Sequence, residues 1–216
     1  MASPMRASRS FATLRRPRGL RTREAILRKA VALASLEGLE GLTLGKLSTA
    51  LRISKSGLFA HFGSKEELQC SAVEAAKDIF IEEVIAPAAA RQGLRRLRAL
   101  CEHWFRYAET RVFPGGCFFA AASLEFDDRP GKVRDRIVDL MKQWLLLLEE
   151  TVREARTSGE VKRDVNPRQL AFEIHALAMG ANWRSRLFKD PAAFSTARRA
   201  VFERIEQIGK TERRRR

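Results

Sequence analysis

Residues 43–65 read TLGKLSTALRISKSGLFAHFGSK, and they contain two short stretches of helical pattern separated by a tight turn. Thr43 and Ser54 are residue types that cap helix N-termini, and each precedes about two turns of helix-forming sequence. Apolar side chains are spaced so that the two helices can cross over a shared core, namely Leu47, Leu51, Ile53, Leu58 and Phe62. This spacing predicts a helix-turn-helix.

The helical pattern continues on both sides of this segment. Thr22 is predicted to cap a first helix that Gly38 ends, and Ser64-Lys65-Glu66-Glu67 forms a capping box for a fourth helix that can reach Pro87. Periodicity and helix-breaking residues predict further helices over 94–112, 117–125, 132–158, 167–188 and 191–209. The last two are expected to start at Pro167 and Pro191, because proline is favoured at the first helical position. No stretch alternates like a strand, so we expect an all-α chain of about nine helices.

The positive charge lies mainly at the two ends of the chain. Lys and Arg total 41 against 26 Asp and Glu, which gives a net charge of +15. Seven Arg and no acid fall within residues 1–23, and residues 210–216 hold five basic residues and one acid. This distribution predicts a basic arm over 1–20 and a basic tail over 210–216 on a nearly balanced body. Arg15, Arg16 and Arg18 of the arm are candidate DNA contacts, and a charge-rich segment without a DNA role is the alternative.

Several function classes find no support in the sequence. The three cysteines form no CxxC pair, which favours a reducing, cytoplasmic setting over a disulfide framework. No apolar run approaches the ~18 residues of a membrane span. The three histidines lack helical metal spacing, and no nucleophile elbow or glycine-rich phosphate loop is present. We therefore expect no metal, no cofactor and no catalytic site, whereas an oxidant-sensing role of Cys101 or Cys117 stays open.

The second helix of the motif carries residues suited to a DNA groove. In a helix-turn-helix this helix enters the major groove, where its N-terminal residues meet base edges. Lys55 is cationic, Ser56 offers a hydroxyl, and Gly57 permits a close approach. His61 and Lys65 follow where donors to the phosphate backbone are needed. Each alone is more simply a solvated residue, but their joint placement beside an Arg-rich arm favours DNA binding.

Residues 22–68 resemble the DNA-binding domain of the TetR/AcrR family of bacterial repressors. The residues that carry the resemblance are Thr22, Gly38, Gly41, Thr43, 54–62 and 64–68. It implies an all-helical regulator with a DNA-binding domain over 21–67 and a ligand-binding and dimerisation domain over 68–209. It further implies that Lys55, Ser56 and Gly57 meet bases and nearby phosphates, and that the DNA backbone is contacted by Thr43, Phe59, His61 and Lys65.

Three positions depart from the family pattern. Phe59 stands where Tyr is common, so a phenolic hydrogen bond to phosphate is lost. Arg52 occupies a turn position where Gly is usual, and a left-handed conformation there would cost about 1 kcal/mol. Gly45 replaces a side chain that reads bases in some members. The motif survives all three departures.

The rest of the chain has apolar faces that allow two interpretations. Stripes in the last two helices comprise Leu170, Ile174, Leu177, Ala181, Phe194, Ala197, Val201, Ile205 and Ile208. They form either the inner face of a monomeric bundle or, as the resemblance suggests, a homodimer interface through Pro167–Phe188 and Pro191–Gly209. A dimer would suit a pseudo-palindromic operator in double-stranded DNA, because two recognition helices must meet successive major grooves.

Large side chains in the middle helices are either core or the lining of an effector pocket. The candidates are Cys101, Trp104, Phe105, Phe118, Phe119, Met141, Trp144 and His175, with His103 and Glu125 as further polar contacts. The expected function is that of a sequence-specific transcriptional regulator, most simply a repressor that a small molecule releases. The alternatives are a non-specific architectural DNA binder that uses its basic termini and a helical enzyme. The effector, the operator and the choice between repressor and activator stay open.

Overall fold

The computed structural model describes residues 18–210 of the chain, with side chains from residue 22 onward. This range holds nine α-helices and no β-strand, apart from one isolated bridge between Val161 and Gly209. The helices are α1 Arg18–Glu37, α2 Leu44–Leu51, α3 Lys55–Phe62, α4 Lys65–Phe80, α5 Gly93–Glu109, α6 Phe118–Glu125, α7 Lys132–Thr157, α8 Pro167–Leu187 and α9 Ala193–Ile208. The predicted all-α fold is confirmed. None of the described helices is both long and apolar enough to cross a membrane.

Three predicted helix boundaries are wrong: the starts of α1 and α9, and the end of α5, which lies at Glu109 rather than at residue 112. Helix α1 begins at Arg18, so Thr22 lies inside it and does not cap it. Helix α9 begins at Ala193, because the Asp190 carboxylate accepts a hydrogen bond from the Ala192 amide at 2.8 Å and holds the preceding residues in a turn. The helical path that begins with α4 does reach Pro87, but after Phe80 it changes to a π-helical turn over Ile81–Ile85 and a 3₁₀ turn over Ala86–Ala88. Pro87 explains why the α-helical hydrogen-bond pattern is not kept in this stretch, since proline lacks the amide that an α-helical bond would need.

The chain divides into two compact units, and each has its own core. Unit 1 comprises the chain up to Ile79 together with Phe113–Leu140, and unit 2 comprises Phe80–Val112 together with the chain from Met141. Unit 1 therefore contains the helix-turn-helix and also α6. The sequence predicted a DNA-binding domain over 21–67 and a ligand-binding and dimerisation domain over 68–209. Those domains are defined by function rather than by compactness, so their boundary stays a prediction.

The apolar stripes of α8 and α9 lie in the core of unit 2. Seven of the nine predicted stripe residues are at most 8% exposed in the single chain, namely Leu170, Ile174, Ala181, Ala197, Val201, Ile205 and Ile208. Leu177 and Phe194 are half-buried. The interpretation that these stripes pair with a second subunit is wrong for the buried residues, and the alternative of an inner bundle face is correct. Different apolar side chains are exposed on or just after α8, namely Phe172, Trp183, Leu187 and Phe188.

Candidate DNA-binding surface

The helix-turn-helix forms as its capping residues predict. Thr43 Oγ1 accepts a hydrogen bond from the Lys46 amide at 3.2 Å, and Ser54 Oγ accepts one from the Gly57 amide at 3.1 Å. These bonds start α2 and α3 by satisfying amides that have no partner inside the helix. Arg52 ends α2 in the left-handed conformation, with φ 55° and ψ 40°. The left-handed turn residue considered from the sequence is therefore present.

The core between α2 and α3 is smaller than predicted. Leu47 and Leu58 are fully buried, and Phe62 is nearly so. Leu51 is half-buried, whereas Ile53 is 36% exposed. The prediction that Ile53 packs between the helices is wrong, because this residue lies in the turn, where its backbone carbonyl accepts a hydrogen bond from Ser48 Oγ at 2.7 Å.

The outer face of α3 is open to solvent. The structure places five predicted site residues on it, and all are exposed: Lys55, Ser56, Gly57, Phe59 and His61. Phe59 has the largest apolar exposure of the motif, at 58%. A Cβ added to Gly57 would contact only Ser54 Oγ, at 3.1 Å, so the outward side of this residue is unobstructed. The face therefore combines a cation, a hydroxyl and an open backbone.

Lys55 extends from α3 along the surface of α2. Its Cε lies 3.8 Å from the position that a Cβ on Gly45 would occupy. Among the residues that the structure describes, its ammonium forms no ion pair within 4 Å. Because Gly45 projects no side chain, Lys55 is the group that occupies this part of the surface.

Lys65 is engaged within the protein. Its Nζ lies 2.5 Å from Glu40 Oε1, and both side chains are about two-fifths exposed. Glu40 also accepts a hydrogen bond from Gln69 Nε2 at 3.3 Å and lies 3.8 Å from Arg129. The hydrogen bond from Lys65 is the main cause that lowers the pKa of Glu40. Because an ammonium has three N–H donors, a phosphate that binds Lys65 would share this ammonium with the Glu40 carboxylate.

Glu125 has a role that the sequence did not indicate. Its carboxylate accepts hydrogen bonds from the backbone amides of Leu39, at 2.7 Å, and Glu40, at 2.9 Å. The expectation that Glu125 is a polar contact of the effector pocket is wrong, because its carboxylate is used in unit 1. One signal could have pointed to a partner, since a carboxylate at the last residue of a helix is disfavoured by the helix dipole.

Five of the predicted pocket residues meet in unit 2. Cys101, Trp104, Phe105, Trp144 and His175 line one cavity of about 10 Å³. A space of this size holds about one water molecule. The remaining predicted residues lie elsewhere. Phe118 and Phe119 belong to unit 1, and Met141 is half-buried but does not line the cavity. His103 Nδ1 lies 2.9 Å from Arg106 Nη2 and is likewise outside the lining.

Burial governs the titration of the cavity residues. It lowers the pKa of His175, which favours the neutral imidazole. It also raises the pKa of the Cys101 thiol to about 12. A thiol with such a pKa is a poor nucleophile at neutral pH, and Cys117 is also buried.

The predicted basic arm lies mostly outside the described residues. Arg15 and Arg16 precede the described range, and so does most of the segment 1–20. Arg18 is the first residue of α1, but its side chain is not among those described. Of the predicted basic tail over 210–216, all but Lys210 also lies outside this range.

A capped helix-turn-helix with an exposed second helix, set in an all-helical chain, defines a helix-turn-helix DNA-binding protein. Two family models match the chain. The model described as "Bacterial regulatory proteins, tetR family" matches residues 26–69, and the one described as "Tetracyclin repressor-like, C-terminal domain" matches residues 93–201. The chain belongs to the TetR family and is a DNA-binding transcriptional regulator.

Individual relatives are distant in sequence and similar in fold. The HTH-type transcriptional repressor DhaR of Mycobacterium sp. (strain GP1) is 21% identical over 185 residues, which cover 85% of this chain and 91% of that protein. A TetR transcriptional regulator from Chloroflexus aurantiacus J-10-FL superposes with a TM-score of 0.81 at 26% identity, covering 88% of this chain and 97% of that one. AibR in complex with isovaleryl coenzyme A and operator DNA superposes with a TM-score of 0.68 at 23% identity, covering 86% and 96%.

Proposed function

We propose that this protein is a repressor that binds a pseudo-palindromic operator as a homodimer and leaves it when a small molecule binds to unit 2. Two relatives support this assignment. DhaR is named a repressor, and AibR was crystallised with both an acyl-coenzyme A and operator DNA. Because the family consists of DNA-binding regulators, we propose that the protein acts in the cytoplasm, at the nucleoid.

The observation that carries the proposal is the outer face of α3. Leu58 and Phe62 bury the inner face, which leaves Lys55, Ser56 and Gly57 pointing away from the core at the start of the helix. A lysine at this position can donate to the O6 and N7 acceptors of guanine, and a hydroxyl can meet either a base or a phosphate. We propose that these three residues read bases.

Residues around α3 are proposed to hold the DNA backbone. Thr43, Phe59, His61 and Lys65 flank the base-reading residues along the motif. Phosphate contacts of this kind fix the position of the protein on the duplex without reading sequence. The arm residues Arg15, Arg16 and Arg18 are proposed to add further contacts to phosphates.

A second copy of the chain is proposed to cover the outer faces of α8 and α9. A groove of about 480 Å³ runs between these helices. Its lining combines apolar residues, among them Phe172, Ala176, Leu177 and Ala200, with the charged residues Glu173, Glu203 and Arg204. Phe172 is 65% exposed beside it. An apolar surface of this kind is typical of a protein interface. The helices are those predicted from the sequence, but the proposed contact uses their outer faces.

The effector is proposed to bind at the small cavity of unit 2. Because the cavity holds only about one water molecule, side chains of its lining must move to admit a larger ligand. The lining is apolar except for a cysteine and a neutral histidine. An effector with a substantial apolar portion fits this lining best.

Selection of bound fragments from a random DNA pool tests DNA recognition. We expect one preferred pseudo-palindromic sequence, which Lys55→Ala binds more weakly by about 1–3 kcal/mol and with relaxed preference at one base position. Lys142→Ala removes the same charge from an exposed position of α7 and serves as the control. Binding of all sequences with equal affinity would favour the non-specific architectural binder instead.

Light scattering tests the proposed dimer. We expect a dimer at micromolar concentration, and Phe172→Glu is expected to favour the monomer because it places a charge on the apolar outer face of α8. A wild-type monomer at that concentration would contradict the proposed assembly.

A further inference from the structure

The turn between α1 and α2, residues Gly38–Leu42, is held by side chains from distant parts of unit 1. Glu125 Oε2 accepts from the Leu39 amide at 2.7 Å, and Glu125 Oε1 accepts from the Glu40 amide at 2.9 Å. On the other side, Gln69 Nε2 donates to the Leu39 carbonyl at 2.8 Å in a buried position. The Leu39 amide is therefore bonded to a side chain, and its carbonyl accepts from Gln69 as well as from the Leu42 amide, at 3.2 Å.

The turn is shaped to receive the Glu125 carboxylate. Gly38 has a φ of +85°, and a Cβ on it would lie 2.7 Å from Glu125 Oε1. Only glycine permits this approach without displacing the carboxylate. Two charge-assisted bonds to consecutive amides also offset the unfavourable placement of an acid at the C-terminus of α6.

Two proposed contacts to the DNA backbone depend on this turn. Thr43 follows it directly and caps α2, so the position of the turn determines where Thr43 Oγ1 lies. Glu40, inside the turn, forms the ion pair that holds Lys65 at the start of α4. A shift of the turn would therefore move a hydroxyl donor and an ammonium donor together.

We propose that Glu125 is a positioning residue for operator binding, because its carboxylate fixes the Gly38–Leu42 turn that places Thr43 and Lys65 against the DNA backbone. This inference rests on the proposed function. Glu125 itself makes no contact with DNA in this proposal, and its effect passes through backbone amides.

The test compares operator affinity over a range of salt concentrations for the full-length wild type and three variants. Glu125→Gln retains one acceptor and turns an amide donor toward the second N–H. Glu125→Asp retains the charge, but its side chain is one methylene shorter, so its carboxylate should lie farther from both amides. Glu150→Gln is the control, because it removes the same charge at an exposed position of α7, away from the contact between Glu125 and the Gly38–Leu42 turn.

We expect Glu125→Gln to bind the selected operator about tenfold more weakly. The logarithmic salt slope should also fall by about 0.9, the value of one lost phosphate contact. Neutralising an acid by itself favours binding to a polyanion, so this loss has the opposite sign to a simple charge effect. Glu125→Asp should fall between the wild type and the Gln variant, and Glu150→Gln should bind at least as tightly as the wild type.

Hydrogen exchange at the Leu39 and Glu40 amides shows whether their hydrogen bonds to residue 125 are lost. Circular dichroism shows whether each variant is folded. A folded Glu125→Gln protein with wild-type affinity and an unchanged salt slope would overturn the inference. If the Gln variant is unfolded, the same outcome for a folded Glu125→Asp protein overturns it. A wild-type chain with no preferred DNA sequence would instead refute the proposed function, and this inference with it.

Discussion

Replacement of Arg52 by glycine should stabilise the helix-turn-helix. Arg52 is exposed and adopts φ 55° and ψ 40°, a conformation that costs a residue with a Cβ about 1–2 kcal/mol. Glycine removes this cost, although its freedom in the unfolded chain takes back about 0.5–1 kcal/mol. The net expected gain is about 0.5–1 kcal/mol. For a chain of this size that corresponds to a rise in Tm of about 2 °C.

Thermal unfolding at one fixed protein concentration measures this effect. Lys142→Gly is the matched control, because it also replaces an exposed basic residue by glycine but does so inside a helix. There glycine should cost about 0.8 kcal/mol and lower the Tm. An Arg52→Gly variant that loses as much stability as Lys142→Gly would refute the argument that left-handed strain is stored at Arg52.

Three further predictions concern packing, titration and charge. Gly115→Ala should destabilise the chain by several kcal/mol in thermal unfolding, because the added Cβ would overlap the backbone of Ser35. Gly45→Ala should instead raise the free energy of unfolding by about 0.5–1 kcal/mol, because its new methyl meets only ordinary van der Waals contacts. Burial raises the pKa of Cys101 to about 12, so as the pH rises the unfolded chain loses this proton before the folded chain does. The free energy of unfolding should therefore fall as the pH rises from about 9 to about 12. Denaturant titrations should show a smaller fall for Cys101→Ala. Removal of residues 1–17, which hold four Arg and no acid, should weaken operator binding and flatten its salt slope, and an unchanged slope would leave the arm without a DNA role.

The local structure of unit 1 follows from short-range chemistry that the sequence displays. A hydroxyl residue that precedes a helix bonds an amide two or three residues later, so Thr43 and Ser54 locate α2 and α3 without knowledge of the rest of the fold. The same logic fails at Asp190, since its carboxylate bonds the Ala192 amide and Arg184 and holds a turn instead of starting the helix at Pro191.

Long-range partners were beyond the reach of the sequence. Glu125 bonds an amide 86 residues away, and Lys65 pairs with an acid 25 residues away, so neither pairing follows from local spacing. The stripes of α8 and α9 show a related limit. Periodicity identifies which side chains share a face, but it does not identify what covers that face.

The burial of those stripes within a single chain has a consequence for how the protein is made. A newly synthesised chain can complete the core of unit 2 alone, since Val201 and Ile205 are already fully covered without another chain. Subunits are therefore expected to meet as folded bodies and to exchange after assembly, rather than to fold around each other. When the concentration of the protein in the cell is too low to keep it dimeric, occupancy of a pseudo-palindromic operator would then rise with the square of that concentration.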